Sequence, residues 1–168
     1  MNRTTPLKRT AFVSVLKKKK TDRPARITHK RGQSTIWRSD AYLALVRSLP
    51  CSACGTHSNT QAAHSNQLRM GKSRGMKASD ASAMPLCGPA YLRQGCHASL
   101  DQGKTMNKEQ RKAFENEHIV RTIMALCGQG RLIAGDDVPR VISKDQFEEM
   151  ATHLVAMIES GELKINQQ

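Results

Sequence analysis

Four of the five cysteines fall within 46 residues of one another, as Cys51-Ser-Ala-Cys54 followed by Cys87 and Cys96. The segment that carries them, from Cys51 to Gly103, has no long run of apolar residues at helical or strand spacing. It is a succession of cysteines, histidines, glycines and short apolar pieces, and something other than a hydrophobic core must hold it. In a reducing cytosol such cysteines are ligands or plain thiols rather than disulfides. The two-residue gap of Cys51 and Cys54 lets both thiolates face one ion while backbone amides satisfy the sulfurs, and Cys87 and Cys96 can complete a tetrahedral Zn2+ site. The second pair is less orthodox, since residues 88–95 separate its members. The competing reading is two unrelated pairs of buried thiols. Cys127, alone on a predicted helix, reads as a core residue.

A second layer of chemistry lies inside this frame. His97 follows Cys96 directly and Asp101 is four residues further on. In a helix starting at Cys96 the imidazole and the carboxylate share a face and can point together at a divalent cation. His64 lies between the two halves of the cysteine set, where folding of the ribbon would bring it toward His97. An unpaired histidine of near-neutral pKa is suited to take a proton from water. Alone, His64 reads as a turn residue with no chemistry rather than as a base, and His29, His57, His118 and His153 have no partner at useful spacing. Between His64 and Cys87, Arg69, Lys72, Arg74 and Lys77 are interleaved with Gly71 and Gly75 and no acid. Glycine permits close backbone approach and the cations suit phosphate, so the loop is either a phosphate-binding surface or a solvated one.

Charge points to the same partner. The 168-residue chain has 27 Lys and Arg against 14 Asp and Glu, a net charge of +13 that a polyanion would relieve. Residues 1–36 hold 11 of the cations, including Lys17, Lys18, Lys19 and Lys20, and one acid, Asp22, for a net of +10. With Pro6, Pro24 and few large apolar residues, this stretch is expected to be a disordered basic tail, either a phosphate-tracking arm or a solubilising segment. No apolar stretch approaches the roughly 18 residues of a bilayer span, so no membrane partner is expected. The basic start is not followed by the apolar region of a signal peptide, and a cytoplasmic location is expected.

Helical signals flank the cysteine segment. Ser39 can cap a helix over residues 40–48 in which Tyr42, Leu45, Val46 and Leu49 recur at helical spacing before Pro50 stops it. Asn107 or Thr105 can cap another, with Phe114, His118, Ile119, Ile123 and Leu126 on one face and an end near Gly128. Ser143 with Gln146 has the form of a capping box, ahead of a stripe of Phe147, Met150, Leu154 and Ile158 that stops before Gly161. The expected organisation is a tail over 1–36, a zinc-ribbon domain over 37–128, and a loop and helix over 129–168 packing on the core.

Taken together, Cys-x2-Cys, a following histidine, Leu86-Cys87 and Cys96-His97 resemble the HNH, or ββα-metal, nucleases built around a zinc ribbon. More closely, Ala63-His64-Ser65-Asn66, Gly71-Lys72, Lys77-Ala78-Ser79-Asp80, Pro85-Leu86-Cys87 and Gly95-Cys96-His97 with Asp101-Gln102-Gly103 resemble the phage Ref family of recombination-enhancement, RecA-dependent nucleases. The resemblance covers about residues 41–128. It implies His64 as general base with Asp80 and Asn66 in the catalytic set, His97 and Asp101 on a catalytic Mg2+ or Mn2+, and the four cysteines on structural zinc. Ala63 stands where many such sites have a further metal-binding residue, and Asp80 or Ser82 stands for the central asparagine. The fold so implied is α+β, a small zinc-stabilised ββα-metal core with a β-hairpin carrying His64, then the helix of His97 and Asp101, with flanking helices. The implied function is endonucleolytic hydrolysis of DNA by a phage- or prophage-encoded protein in a bacterial host, with a RecA filament as a candidate partner. The alternatives are a non-catalytic zinc-ribbon DNA-binding module and a basic RNA- or ribosome-associated protein.

Overall fold

The computed structural model describes residues 36–90, 93–102, 105–134 and 146–166, all within one compact unit. The expected basic tail up to residue 35, Lys17 to Lys20 included, lies outside the described residues, as does Ser143. Among the described residues no helix is long and apolar enough to cross a membrane.

Helix α1 spans Asp40–Ser48, and Ser39 caps it by accepting from the Tyr42 amide at 3.1 Å. It buries Tyr42 and Val46, one turn apart, and the Trp37 ring meets Tyr42 edge-on at 5.6 Å. Strand β1, Thr60–Ala63, pairs antiparallel with β2, Met84–Cys87, in the register Thr60↔Cys87 to Ala63↔Met84. The connection is not a tight hairpin turn. It holds two short 3-10 turns, Leu68–Met70 and Asp80–Ser82, and His64 is its first residue, just past the end of β1. Residues 78–86 are buried without alternation, because β2 and the turn before it are covered by helices on both sides. Helix α2, Cys96–Gln102, follows and buries only Leu100.

Helix α3, Lys108–Gly128, opens with a reciprocal capping box between Asn107 and Gln110. Its inward face holds Ile119, Val120, Ile123 and Leu126, with Phe114 packed at the edge. Helix α4, Phe147–Ser160, lies against α3 with Ala151, Leu154, Val155 and Ile158 buried, and Gly161 at φ +83° ends it. Gln146 is the residue at its N-cap, with no side-chain cap, and the expected cap at Ser143 lies outside the described residues. The expectation of only a loop and helix after residue 128 is incomplete. Strands β3, Leu132–Ala134, and β4, Leu163–Ile165, form a second antiparallel pair. Three residues each are too few to show a period of two in the sequence.

The result is a small mixed helix and strand fold in which β2 is buried between helices and the cysteine segment is displayed at one end of the β1–β2 pair. Fully buried alanines at 63, 78, 81 and 83 allow the close approach of these elements.

Candidate functional site

The two cysteine pairs come together because β1 and β2 pair. Cys51 and Cys54 precede β1, Cys87 ends β2, and Cys96 begins α2. Their four sulfurs lie within 4.8 Å of one another, and Cys54 and Cys87 are 3.7 Å apart. Four thiolates at the usual zinc–sulfur distance would be separated by about 3.8 Å along each edge of a tetrahedron, so the cluster can hold a metal ion and is compatible with structural zinc. The knuckle is shaped by Gly55 at φ +75°, whose amide donates to the Cys51 carbonyl at 2.8 Å, and is tied to β2 by Ser52 N–H to Pro85 O at 2.8 Å. The longer gap between Cys87 and Cys96 is pinched at its base. A Cβ on Gly95 would collide with the Gly88 backbone and the Cys87 carbonyl, so the two chain ends close as though the loop were short. The Cys96 amide then donates to Cys87 Sγ at 3.4 Å. Hydrogen bonding with the Thr56 side chain and backbone lowers the Cys54 thiol to about 6, while burial and the neighbouring thiols push Cys96 up. Cys127 is on α3, away from the cluster, with its thiol raised by burial.

His64 lies against Asp80. Its Nε2 is 2.8 Å from Asp80 Oδ1, and the same carboxylate accepts from Arg38 Nη1 at 2.8 Å and from the Ser39 amide at 2.9 Å. Asp80 is nearly buried and His64 partly so, with side-chain exposures of 6% and 15%. Burial pushes the Asp80 carboxyl up, but the hydrogen bonds from His64, Ser39 and Arg38 outweigh it and hold the group below the usual carboxylate range. An ionised Asp80 only accepts, so His64 Nε2 carries a proton, and it is Nδ1 that holds the lone pair whenever the ring is neutral. Arg38 is itself fixed by donating to the carbonyls of Lys77 and Ala78.

His97 and Asp101 do share a face of α2, with Nε2 3.4 Å from Oδ2. His97 Nδ1 donates to Gln61 Oε1 at 2.8 Å, so in the neutral ring the Nε2 lone pair is turned toward Asp101. Two electron-rich atoms facing each other suit a cation between them. Asn66 Nδ2 donates to the other Asp101 oxygen at 3.1 Å. Among the described residues no third His, Cys, Asp or Glu joins this pair, and Ala63 is fully buried in the core. Gln61 and Asn66 lie on either side of His64 in the chain, so one stretch of six residues touches both the Asp80 and the Asp101 stations.

Glu115, from the second turn of α3, was not anticipated. It is 1% exposed and accepts from Ser65 Oγ at 2.7 Å, Gln67 Nε2 at 3.0 Å and the Asn66 amide at 3.2 Å. A buried carboxylate thus clamps the three residues after His64. Arg38 and Gln61 were missed as well. In the glycine loop, Gly71 and Gly75 take positive φ of 83° and 78°, and Arg74 and Lys77 are exposed while Lys72 is half-buried. Arg69 differs from these three: its guanidinium bonds Gln67, Asn116 and Glu148.

Comparison with family models, with curated proteins and with solved structures finds no match for this chain.

Proposed function

We propose that the protein is a divalent-metal-dependent endonuclease of the HNH, ββα-metal type that hydrolyses DNA phosphodiester bonds. The observation that carries this reading is the His64–Asp80 contact at 2.8 Å, with Asp80 braced by Arg38 and the Ser39 amide. A carboxylate held ionised fixes the imidazole tautomer and stabilises the imidazolium that forms when the free nitrogen takes a proton. The order β1, His64, β2, α2 with His97 and Asp101 accords with a ββα arrangement, and the net charge of +13 accords with a nucleic-acid substrate.

In the proposed reaction His64 Nδ1 removes a proton from water, the hydroxide oxygen bonds to phosphorus, and the P–O bond to the leaving strand breaks. Asp80 keeps the ring from turning. His97 and Asp101 are the residues that would hold Mg2+ or Mn2+, with Asn66 and Gln61 fixing their orientation. Such an ion, when bound, stabilises charge on the phosphorane and on the leaving oxygen. Cys51, Cys54, Cys87 and Cys96 hold structural zinc and take no part in the chemistry. Lys72, Arg74 and Lys77 contact the backbone, and by resemblance to the Ref family RecA-coated DNA is a candidate substrate form.

Nicking of supercoiled plasmid with and without Mg2+ or Mn2+ tests the reading. His64→Ala should cost about 100-fold to 10,000-fold in rate while zinc content and DNA binding stay near wild type. A wild-type protein that binds duplex, single-stranded and RecA-coated DNA but cuts none of them would replace the nuclease by a zinc-ribbon binding module.

A further inference from the structure

Beside the loop that follows His64 runs a cleft of about 570 Å³, bounded on one side by Asn66, Gln67 and Arg69 and on the other by Lys108, Arg111 and Lys112 of α3. The α3 residues are spaced i, i+3 and i+4, so all three face the cleft. Glu115 at its floor has its carboxylate engaged by Ser65, Asn66 and Gln67, and Glu109 lines the same cleft from α3, so the cations are concentrated toward the rim rather than the floor. At the rim a different acid stands between two of the cations. Glu148, in the first turn of α4, brings Oε1 to 2.6 Å from Lys112 Nζ and 3.0 Å from Arg69 Nη1. Its side chain is half exposed, and the Lys112 hydrogen bond holds its carboxyl below the usual range.

One anionic oxygen shared by an ammonium and a guanidinium is the arrangement a non-bridging phosphate oxygen takes when Lys and Arg bind it. We propose that Arg69 and Lys112 form a phosphate subsite that Glu148 fills in the free protein, and that the backbone of a bound nucleic acid displaces Glu148 from it. An exposed ion pair is held weakly, because water competes for both partners, so exchanging a carboxylate for a phosphate is not opposed by the fold. The subsite explains why Arg69 is tied inward while Lys72, Arg74 and Lys77 are not. It also places a phosphate next to Gln67, three residues from His64 in the chain. The inference rests on the nucleic-acid reading of the preceding section, though not on catalysis.

The test is binding of the full-length protein to a duplex oligonucleotide without divalent metal, over a range of salt. Glu148→Gln should tighten binding about three- to tenfold. Glu159→Gln, which makes the same charge change at an exposed position near the far end of α4, should have a smaller effect. Lys112→Gln should weaken binding and reduce the slope of log K against log salt by about 0.9, the loss of one phosphate contact. In the Lys112→Gln background the gain from Glu148→Gln should disappear. Equal effects of the two glutamate changes, or an unchanged salt slope in Lys112→Gln, would overturn the subsite while leaving plasmid cleavage and its loss in His64→Ala intact. Inorganic phosphate at matched ionic strength should displace DNA from the wild-type protein better than chloride does, and from Lys112→Gln no better than chloride; equal displacement from both proteins would overturn the subsite. These shifts in a protein that cuts nothing would retain the subsite and remove the nuclease, and absence of any DNA binding would remove both.

Discussion

Glu115 offers the sharpest test of how the site is held. Its carboxylate is buried at 1% exposure and receives three donors, two of which, Ser65 Oγ and Gln67 Nε2, converge on Oε2, while the Asn66 amide is shared between the two oxygens. Glu115→Ala leaves all three donors facing a void. Hydrogen bonds to a charged group contribute about 1.5–3 kcal/mol each, but water admitted to the space recovers part of that, so a net loss of about 3–5 kcal/mol is expected. Glu115→Gln can keep its amide oxygen at the Oε2 position and direct its NH2 where only a shared bond is lost, for a cost of about 1–2 kcal/mol. Urea unfolding measures both. The clamped residues 65–67 connect His64 to Asn66, which orients Asp101, so the folded Gln variant should also cleave plasmid about tenfold more slowly at saturating DNA, with little change in KM. If Glu115→Ala loses less than about 1 kcal/mol, the carboxylate is not the clamp described above. If Glu115→Gln is destabilised as expected yet cuts at the wild-type rate, the loop is held but its position does not set the rate.

Two further outcomes are expected. Elemental analysis should find about one zinc per chain, lost in Cys87→Ser and retained in Cys127→Ser; because α2 buries only Leu100 while α3 and α4 share an apolar interface, hydrogen exchange should rise first in the knuckle and α2 when zinc is removed. His118, buried against the Phe114 ring, has its pKa lowered to about 4 by burial, with Arg121 adding to the effect and Glu117 opposing it. Between pH 6.5 and 4 the unfolded chain therefore binds the extra proton, so this stability is complete above 6.5 and is lost as pH falls, by about 2–3 kcal/mol at pH 4.5. His118→Leu should remove that share of the difference between urea midpoints at pH 7 and pH 4.5, and an unchanged difference would mean that His118 is protonated in the fold.

What could be read from the sequence was what is local. Ser39 and Asn107 announce α1 and α3 because a cap needs only the next few residues, and the cysteine spacing announces a ligand set because zinc geometry restricts it. The approach of His97 to Asp101 is likewise a property of one helical turn. Asp80 reached the candidate list only by resemblance, since no periodic signal connects it to His64 sixteen residues earlier, and its position follows from the pairing of β1 with β2. Arg38 carries no signal in the sequence that marks it out, yet it is the cation that braces Asp80. Glu115 had a signal that went unused. It precedes Ile119 by four residues and lies on the stripe that continues to Leu126, so its position on α3 faces inward. A glutamate there among lysines and arginines looks like a solvated helix face until its partners are known, and those partners come from a loop nearly fifty residues earlier. In the segment between Cys51 and Gly103 that lacks periodicity, four cysteines at the outer end stand close enough to hold a metal ion, and buried Asp80 and Glu115 fix His64 and the three residues after it, which is why that part of the fold needs polar residues inside rather than a longer apolar run.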